Sequence, residues 1–175
     1  MILLYYQIQI SDLMHLCEFP ADQKWTLIYR ASLDGFKSTD FHSRCDKRIN
    51  TLIIIKSTNG NVFGGYTEQT WSGIGFKADS SSFIFSLINK LNEPKKIKWS
   101  KNEGIYCHSS FGPTFGGINH DLCITDCSNT DKSSYSNLGH SYTHSSYTYG
   151  SNEAKSFLAD SHQFQVTEIE AYTKK

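Results

Sequence analysis

The strongest constraint on the fold is a short apolar run followed by a turn signal. Residues 52–55 read Leu-Ile-Ile-Ile, which has the length and composition of a buried strand. Asn59-Gly60 follows, a dipeptide typical of two-residue hairpin turns, and residues 62–66 (VFGGY) supply a return strand. The pair Gly64-Gly65 inside that strand indicates a bulge or the close approach of another part of the chain. The centre of the chain is therefore predicted to be a β-hairpin.

Further strands and a few short helices are predicted on either side of this hairpin. One helix follows an N-cap at Ser11 and ends before Pro20, and a clearer one covers residues 38–48, where Ser38, Thr39 and Asp40 offer capping oxygens. Residues 111–117 (FGPTFGG) are expected to be turn-rich, and the Ser- and Tyr-rich residues 128–151 to form a long surface loop. The predicted strands are residues 25–30, 82–88, 95–99, 104–107, 121–125 and 164–172. Together these elements predict a mainly β protein, a two-sheet antiparallel β-sandwich flanked by helices.

Composition bounds the class of protein. The chain has 175 residues, the size of a single domain, with 17 basic and 17 acidic residues, so no overall charge attracts it to nucleic acid. It has no apolar run of about 18 residues, and its first ten residues lack the basic start and cleavage site of a signal peptide. Five cysteines without a repeated spacing argue against a disulfide framework. We expect a cytoplasmic protein that neither inserts into membranes nor binds nucleic acid.

Six blocks of sequence, in this order, resemble the TLDc domain over about residues 13–172. They are WTLIYRASLDGFKSTDFHSRCD, TLIIIKSTNGNVFGGYTEQTW, FIFSL, GPTFGG, DLCIT and EIEAY. The resemblance implies a two-sheet sandwich and a protein linked to oxidative-stress resistance. Several members of that family bind the vacuolar proton-pumping ATPase and promote its disassembly, and no catalytic mechanism is established for the domain. The family-motif positions are Arg30, Asp34, Gly35, Phe41, His42, Cys45, Gly64, Gly65, Gly116, Gly117, Glu168 and Glu170.

Two of these positions carry the main alternative to an interaction module. His42 and Cys45 lie three residues apart on the predicted helix, so a histidine could activate the thiol as a peroxide-reactive nucleophile. The opposing interpretation is a half-buried helix face on which Cys45 is a small apolar residue and His42 bonds a carbonyl group. Similarly, Arg30 with Asp34-Gly35 is either a binding rim or a turn.

The other candidate sites have a stronger structural interpretation. Glu168 and Glu170 share a strand face with Phe164, an odd alternation that is explained if one acid reaches Arg30 or Arg44. Gly64-Gly65 and Gly116-Gly117 match no phosphate-binding pattern and are expected to serve packing. Residues 95–99 (KKIKW) mix cations with an aromatic residue but favour a solvated edge strand over a nucleic-acid or phosphoinositide surface. Six side chains resemble metal ligands: Cys107, His108, His120, Asp121, Cys123 and Cys127. The gap between Cys123 and Cys127 has the spacing of zinc ligands, but Cys123 lies in a predicted strand, so a structural role is favoured.

Three functional hypotheses follow. The first is a non-enzymatic TLDc-type protein-interaction module, with the vacuolar ATPase as the implied partner and no cofactor or metal. The second is a thiol-dependent enzyme or sensor that uses Cys45 and His42. The third is a ligand-binding scaffold whose recognition surface is the loop of residues 128–151. The sequence carries none of the LysM, BTB, Rab-GAP-like or EF-hand segments of larger relatives, which leaves the partner and the oligomeric state open.

Overall fold

The chain folds into two antiparallel sheets, as predicted from the strand pattern, and each has six strands in the described residues. The computed structural model describes residues 10–101, 103–143 and 147–175. The helices in this part are α1 (Ile10–Leu16), α2 (Ala31–Asp34), α3 (Ser38–Cys45) and α4 (Asn152–Ser156). The strands are β1 (Trp25–Arg30), β2 (Thr51–Ser57), β3 (Val62–Thr67), β4 (Gly75–Lys77), β5 (Phe83–Ile88), β6 (Lys95–Lys98), β7 (Ile105–Cys107), β8 (Phe111–Phe115), β9 (Leu122–Thr125), β10 (Ser134–Ser136), β11 (Gln163–Phe164) and β12 (Val166–Lys174). Sheet 1 has the order β1-β12-β2-β3-β5-β6, and sheet 2 has the order β11-β10-β9-β8-β7-β4.

Strand β2 is buried on both faces, which explains its continuous apolar run. Ile53 and Ile55 belong to the core between the sheets. Leu52 and Ile54 belong to a second core on the outer face of sheet 1, which α1 covers with Leu13 and other side chains. A strand covered on only one face would alternate apolar and polar residues, so helix α1 is the reason that this one does not.

The glycine pair of β3 is required by close packing, as predicted. A Cβ atom on Gly64 would overlap the carbonyl oxygen of Ile53 in the neighbouring strand. A Cβ atom on Gly65 would lie 2.6 Å from the ring of Phe115, which belongs to sheet 2. Glycine therefore lets the two sheets approach each other here.

The prediction that residues 111–117 are turn-rich was wrong. Residues Phe111–Phe115 form β8, an interior strand of sheet 2, although proline has no N–H to donate to a ladder. The pairing of β8 with β9 shifts register between Phe111 and Thr114, and this irregularity contains Pro113. A bulge thus accommodates the proline that suggested a turn.

The prediction of a surface loop at residues 128–151 was also wrong for much of that segment. Strand β10 lies within it, and Ser134, Ser136 and Tyr142 are buried. The Tyr142 hydroxyl donates to the carbonyl oxygen of Gly104 at 2.6 Å and lies 2.7 Å from Ser82 Oγ. Ser134 and Ser136 fit inside because their hydroxyls bond to Thr125 Oγ1 and to the Lys155 carbonyl oxygen, a property that periodicity does not reveal.

The closing strand of residues 164–172 divides between the two sheets. Phe164 ends β11 in sheet 2, whereas Val166 begins β12 in sheet 1. The alternation of Phe164 with the acids is therefore interrupted, because these residues do not share one strand. Strand β6, which corresponds to predicted residues 95–99, lies at the edge of sheet 1 as expected.

The helix boundaries differ slightly from the prediction. Helix α1 begins at Ile10, so Ser11 lies inside it and is not its N-cap, and most of the first ten residues lie outside the described part. Helix α3 ends at Cys45 rather than at residue 48. Of the three predicted capping oxygens at its start, Asp40 Oδ2 accepts from the Lys37 N–H at 3.1 Å. In the described part of the chain, no helix is long and apolar enough to cross a membrane.

Candidate functional site

Arg30 and Glu170 form a buried ion pair at the edge of sheet 1. They lie opposite each other in β1 and β12. The guanidinium contacts Glu170 Oε1 through Nη2 at 2.7 Å and through Nε at 2.8 Å, and Glu170 is 1% exposed. The Tyr172 hydroxyl donates to the other carboxylate oxygen at 2.8 Å. Of the two arginines predicted as partners of the acids, Arg30 is the one that Glu170 reaches.

Glu168 and Asp34 hold helix α2 against this pair. Glu168 Oε1 accepts from the backbone N–H groups of Ser32 and Ile169, each at 3.0 Å. Asp34 Oδ2 accepts from the backbone N–H of Arg30 at 2.9 Å, and Arg44 contacts the other oxygen at 2.8 Å. A four-residue helix cannot be stable alone, so these carboxylates fix its position.

Gly35 ends α2 in a conformation that glycine favours. Its φ is 109°, and a Cβ atom here would overlap the carboxylate of Asp40. The Tyr29 hydroxyl donates to the Gly35 carbonyl oxygen at 2.8 Å. The predicted turn at Asp34-Gly35 is therefore the end of a short helix packed beside the Arg30 cluster.

A surface cavity of about 260 Å³ opens beside these groups. We call it the arginine cavity. Leu33 projects beside it from α2 and is 75% exposed, while Arg30 and Glu170 are held by each other. Its lining residues are Arg30, Ser32, Leu33, Lys56, Thr167, Glu168 and Glu170. The arrangement presents an apolar side chain on a rigid, charged surface, because each carboxylate already accepts hydrogen bonds from the chain.

His42 and Cys45 lie in different environments and have different partners. His42 Nδ1 lies 2.6 Å from Asp46 Oδ1, and Nε2 donates to the carbonyl oxygen of Phe111 at 2.9 Å. Cys45 is fully buried, and burial, with Asp46 and Asp34 adding to it, raises the pKa of its thiol. Such a thiol stays protonated and inaccessible, which is the opposite of what a reactive cysteine needs.

Phe41, the third family-motif position on α3, belongs to the core between the sheets. Its ring meets Tyr29 edge-on, with centroids 5.6 Å apart, and Trp71 at 5.4 Å. The Trp71 indole N–H donates to Thr51 Oγ1 at 2.9 Å. These contacts attach the helix to both β1 and the central hairpin.

Gly116-Gly117 lies against the buried carboxylate of Asp121, a residue that the sequence pointed to only as a possible metal ligand. Gly116 has a φ of 99°, and a Cβ atom on it would overlap the carboxylate of Asp121. Asp121 accepts from the backbone N–H groups of Gly139, His140 and Ser141 at 2.8–2.9 Å. The glycine pair thus leaves space for a hub that holds residues 139–142.

The side chains that resembled metal ligands are dispersed. Cys107 is buried with its sulfur 3.6 Å from the Thr70 carbonyl oxygen, whereas His108 and His120 both stack on Tyr106. Cys123 is buried beside Thr114, and Cys127 is half-buried. Among the described residues, no three side chains of metal-binding type converge.

Two stacked antiparallel sheets, with a rigid polar cavity at one edge, define a β-sandwich domain. The TLDc-domain model matches residues 3–175, so the chain belongs to the TLDc family. A zebrafish (Danio rerio) protein named MTOR-associated protein MEAK7 is 31% identical over 65 residues, or 37% of this chain and 14% of that protein. The Xenopus laevis protein of the same name is 27% identical over 89 residues, or 49% of this chain and 19% of that protein. The matched segments thus span less than a fifth of these relatives.

Proposed function

We propose that this TLDc domain is a non-enzymatic protein-interaction module that docks a partner through the arginine cavity. The proposal rests on Leu33, which is 75% exposed at the rim of this cavity. In the cavity wall, an ion pair holds Arg30 and Glu170, and two backbone N–H groups hold Glu168. A support that is already ordered lowers the entropy cost of binding, which favours a contact through the apolar side chain that it presents.

The partner we propose is the vacuolar proton-pumping ATPase, and the setting is oxidative-stress resistance in the cytosol. Family membership supports this choice, since the resemblance that identified the domain also implies that partner. The names of the two relatives mention mTOR, which makes an mTOR-containing assembly the second partner to test. The thiol hypothesis receives no support from the geometry, because Cys45 is buried and His42 bonds other groups.

The test combines binding and activity on detergent-solubilised vacuolar ATPase. We expect the purified chain to co-sediment with the pump saturably and to change its rate of ATP hydrolysis. Leu33→Ser should weaken binding by about tenfold, since an apolar anchor of this size contributes on the order of 1–2 kcal/mol.

Ile118→Ser is the matched control, because Ile118 is 74% exposed and does not line the arginine cavity. Both variants change a surface position, so both should unfold at the same denaturant concentration as the unmodified chain. Equal binding by the Leu33 variant and the unmodified chain would reject the docking site. A folded chain that neither co-sediments with the pump nor changes hydrolysis would reject this partner, and the same assay with mTOR assemblies would follow.

A further inference from the structure

A basic surface lies at one end of sheet 1, where three separate segments of the chain meet. Residues 22–24 lead into β1, residues 46–50 connect α3 to β2, and residues 173–175 include the end of β12. These segments carry five basic and two acidic side chains, although the whole chain has 17 of each. We call this surface the basic end. Its cations are Lys24, Lys47, Arg48, Lys174 and Lys175.

Backbone hydrogen bonds hold the three segments beside one another. The Lys174 N–H donates to the Asn50 carbonyl oxygen, and the Lys175 N–H donates to the Lys24 carbonyl oxygen, each at 3.0 Å. Lys174 also lies opposite Trp25 in the pairing of β12 with β1. The sheet therefore brings together cations that are more than 100 positions apart in the sequence.

The cations of the basic end are exposed and are not held in ion pairs. All five side chains face solvent. Among the described residues, none of the five lies within ion-pair distance of a carboxylate. Of the nearby acids, Asp46 lies 2.6 Å from His42 Nδ1, and Asp22 and Glu68 are exposed. The five cations outnumber these three acids, so the basic end has a local positive charge that the balanced composition conceals.

An exposed apolar side chain lies among these cations. Ile49 is 53% exposed and directly follows Lys47 and Arg48 in the sequence. The Thr173 hydroxyl donates to the Ile49 carbonyl oxygen at 2.9 Å. The next residue, Asn50, has a φ of 53°, a left-handed conformation that asparagine adopts more readily than most residues. The backbone at Ile49 is therefore fixed, and the basic end presents an apolar side chain together with its charges.

We propose that the basic end binds the surface of an anionic phospholipid membrane, with its cations on the lipid headgroups and Ile49 in the interfacial region. A membrane surface accepts both parts of this structure, because its negative potential attracts the cations and its interface takes up an apolar side chain. Such binding is peripheral and needs no membrane-spanning helix. The arginine cavity lies toward the other end of the β1–β12 pair, where Arg30 faces Glu170, so this contact does not use it.

The composition of the basic end favours a lipid surface over an acidic peptide or a nucleic acid. Four of its five cations are lysines, which act as point charges and lack the planar fork with which arginine pairs with a carboxylate in a fixed geometry. The three segments contain no aromatic residue on which a base could stack. A nucleic acid or a strongly acidic peptide would also leave Ile49 in water.

Co-sedimentation of the full chain with lipid vesicles tests this proposal. The probe is a vesicle of phosphatidylcholine with about 30% phosphatidylserine, and a vesicle of phosphatidylcholine alone is the control. The chain should sediment saturably with the anionic vesicles and not with the neutral ones. Raising the salt concentration from about 0.05 M to about 0.5 M should weaken binding at least about tenfold, because exposed charges are screened.

A pair of double variants assigns the binding to the basic end. Lys47→Gln with Arg48→Gln should weaken binding on the order of tenfold, because each cation near an anionic surface contributes to the attraction. The matched control is Lys90→Gln with Lys155→Gln, which removes two cations from the β5–β6 connection and from α4. This control should change binding by less than about twofold.

A second pair of variants tests the apolar contribution. Ile49→Ser should weaken binding about threefold, since about half of the side chain is available for further burial. Ile118→Ser, at a more exposed isoleucine outside the basic end, should leave binding unchanged. Urea unfolding will show that each variant is folded, and the lipid and salt dependence of the unmodified chain is informative without any variant.

Several outcomes would overturn the proposal. They are equal binding to neutral and anionic vesicles, no binding to either, and equal weakening by the two double variants. Binding of a polyglutamate peptide without binding to anionic vesicles would also overturn it, in favour of an acidic protein partner. Vesicles of pure lipid contain no pump, so the failure of this proposal and that of the docking proposal are distinguishable.

Discussion

Arg30 and Glu170 face each other on the neighbouring strands β1 and β12 of sheet 1 and join them through a buried charge pair, with Nη2 2.7 Å from Oε1. The arginine side chain is 17% exposed and the glutamate 1%. A buried pair contributes little net stability compared with apolar residues, but the loss of one partner leaves an uncompensated charge. Single substitutions of either residue should therefore destabilise the edge of sheet 1 that supports α2.

The first prediction is a double-mutant cycle on this pair. Arg30→Met should lower the free energy of unfolding by about 3 kcal/mol, because the Glu170 carboxylate is left buried without its cation. The double variant with Glu170→Gln should lose less than the sum of the single losses. Arg44→Met is the control: its side chain is 56% exposed in its pair with Asp34, and such pairs contribute less than about 1 kcal/mol. Urea unfolding measures all four variants, and additive losses would contradict the prediction.

The second prediction concerns the Asp121 hub. Both carboxylate oxygens of Asp121 now accept hydrogen bonds from the backbone N–H groups of Gly139, His140 and Ser141. Asp121→Asn replaces one of these oxygens by an NH₂ group, which cannot accept a hydrogen bond. We expect a loss of about 2 kcal/mol in the free energy of unfolding, since a buried N–H group is left unpaired. Hydrogen exchange should also become faster at residues 139–142. Asp131→Asn, at an exposed acid, should change neither, and unchanged exchange in the Asp121 variant would refute the hub.

The third prediction is a pH dependence at the start of α3. The Ser38 backbone N–H and hydroxyl donate to Asp126 at 2.7 and 2.9 Å, and these bonds hold the pKa of that carboxyl below its ordinary value of 3.8. A carboxyl whose pKa is lower in the folded than in the unfolded state stabilises the fold at any pH above its unfolded pKa. This stabilisation is lost as the pH falls through the folded pKa. Asp126→Asn should therefore cost about 0.5 kcal/mol at pH 7, a small amount because the carboxylate is exposed.

The difference in the free energy of unfolding between Asp126→Asn and the unmodified chain should decrease below about pH 4 and vanish near about pH 2. Thermal unfolding followed by circular dichroism across that range measures it. Asp22→Asn, which removes an exposed acid from the loop before β1, serves as the control for the change in net charge. A difference that stays constant down to about pH 2 would show that the carboxylate charge at Asp126 does not contribute.

Local patterns predicted the parts of the fold that local chemistry determines. The run at residues 52–55 and the turn at Asn59-Gly60 predicted the central hairpin. Strand parity predicted that one of the two acids reaches Arg30 or Arg44, and Glu170 pairs with Arg30, although Phe164 does not share the strand of the acids as that argument assumed. The failures involve distant partners. Asp126 accepts a hydrogen bond from the N–H of Ser38, which is 88 residues away in the sequence. The Tyr142 hydroxyl donates to the carbonyl oxygen of Gly104, which is 38 residues away. Neither Pro113 in an interior strand nor the buried serines of β10 can be predicted without the neighbours that accommodate them.

The last prediction concerns thiol reactivity. Cys127 is half-buried, whereas Cys17, Cys45, Cys107 and Cys123 are buried. Ellman's reagent should therefore modify Cys127 alone in the native chain and all five thiols only after denaturation. Burial, with a smaller contribution from Asp126, raises the pKa of Cys127, so its modification should be slow at pH 7 and faster at higher pH, where more thiolate forms.

Cys127→Ser should abolish the native reaction, and Cys45→Ser should leave its rate unchanged. Treatment with peroxide followed by mass spectrometry should show the same order, with Cys45 unmodified while the chain is folded. Oxidation of Cys45 in the folded chain, reduced by His42→Gln, would contradict the burial argument and restore the thiol hypothesis. If Cys45 is inert and the chain still binds its partner after complete modification of Cys127, thiol chemistry is unnecessary for docking, and the arginine cavity is the surface to map next.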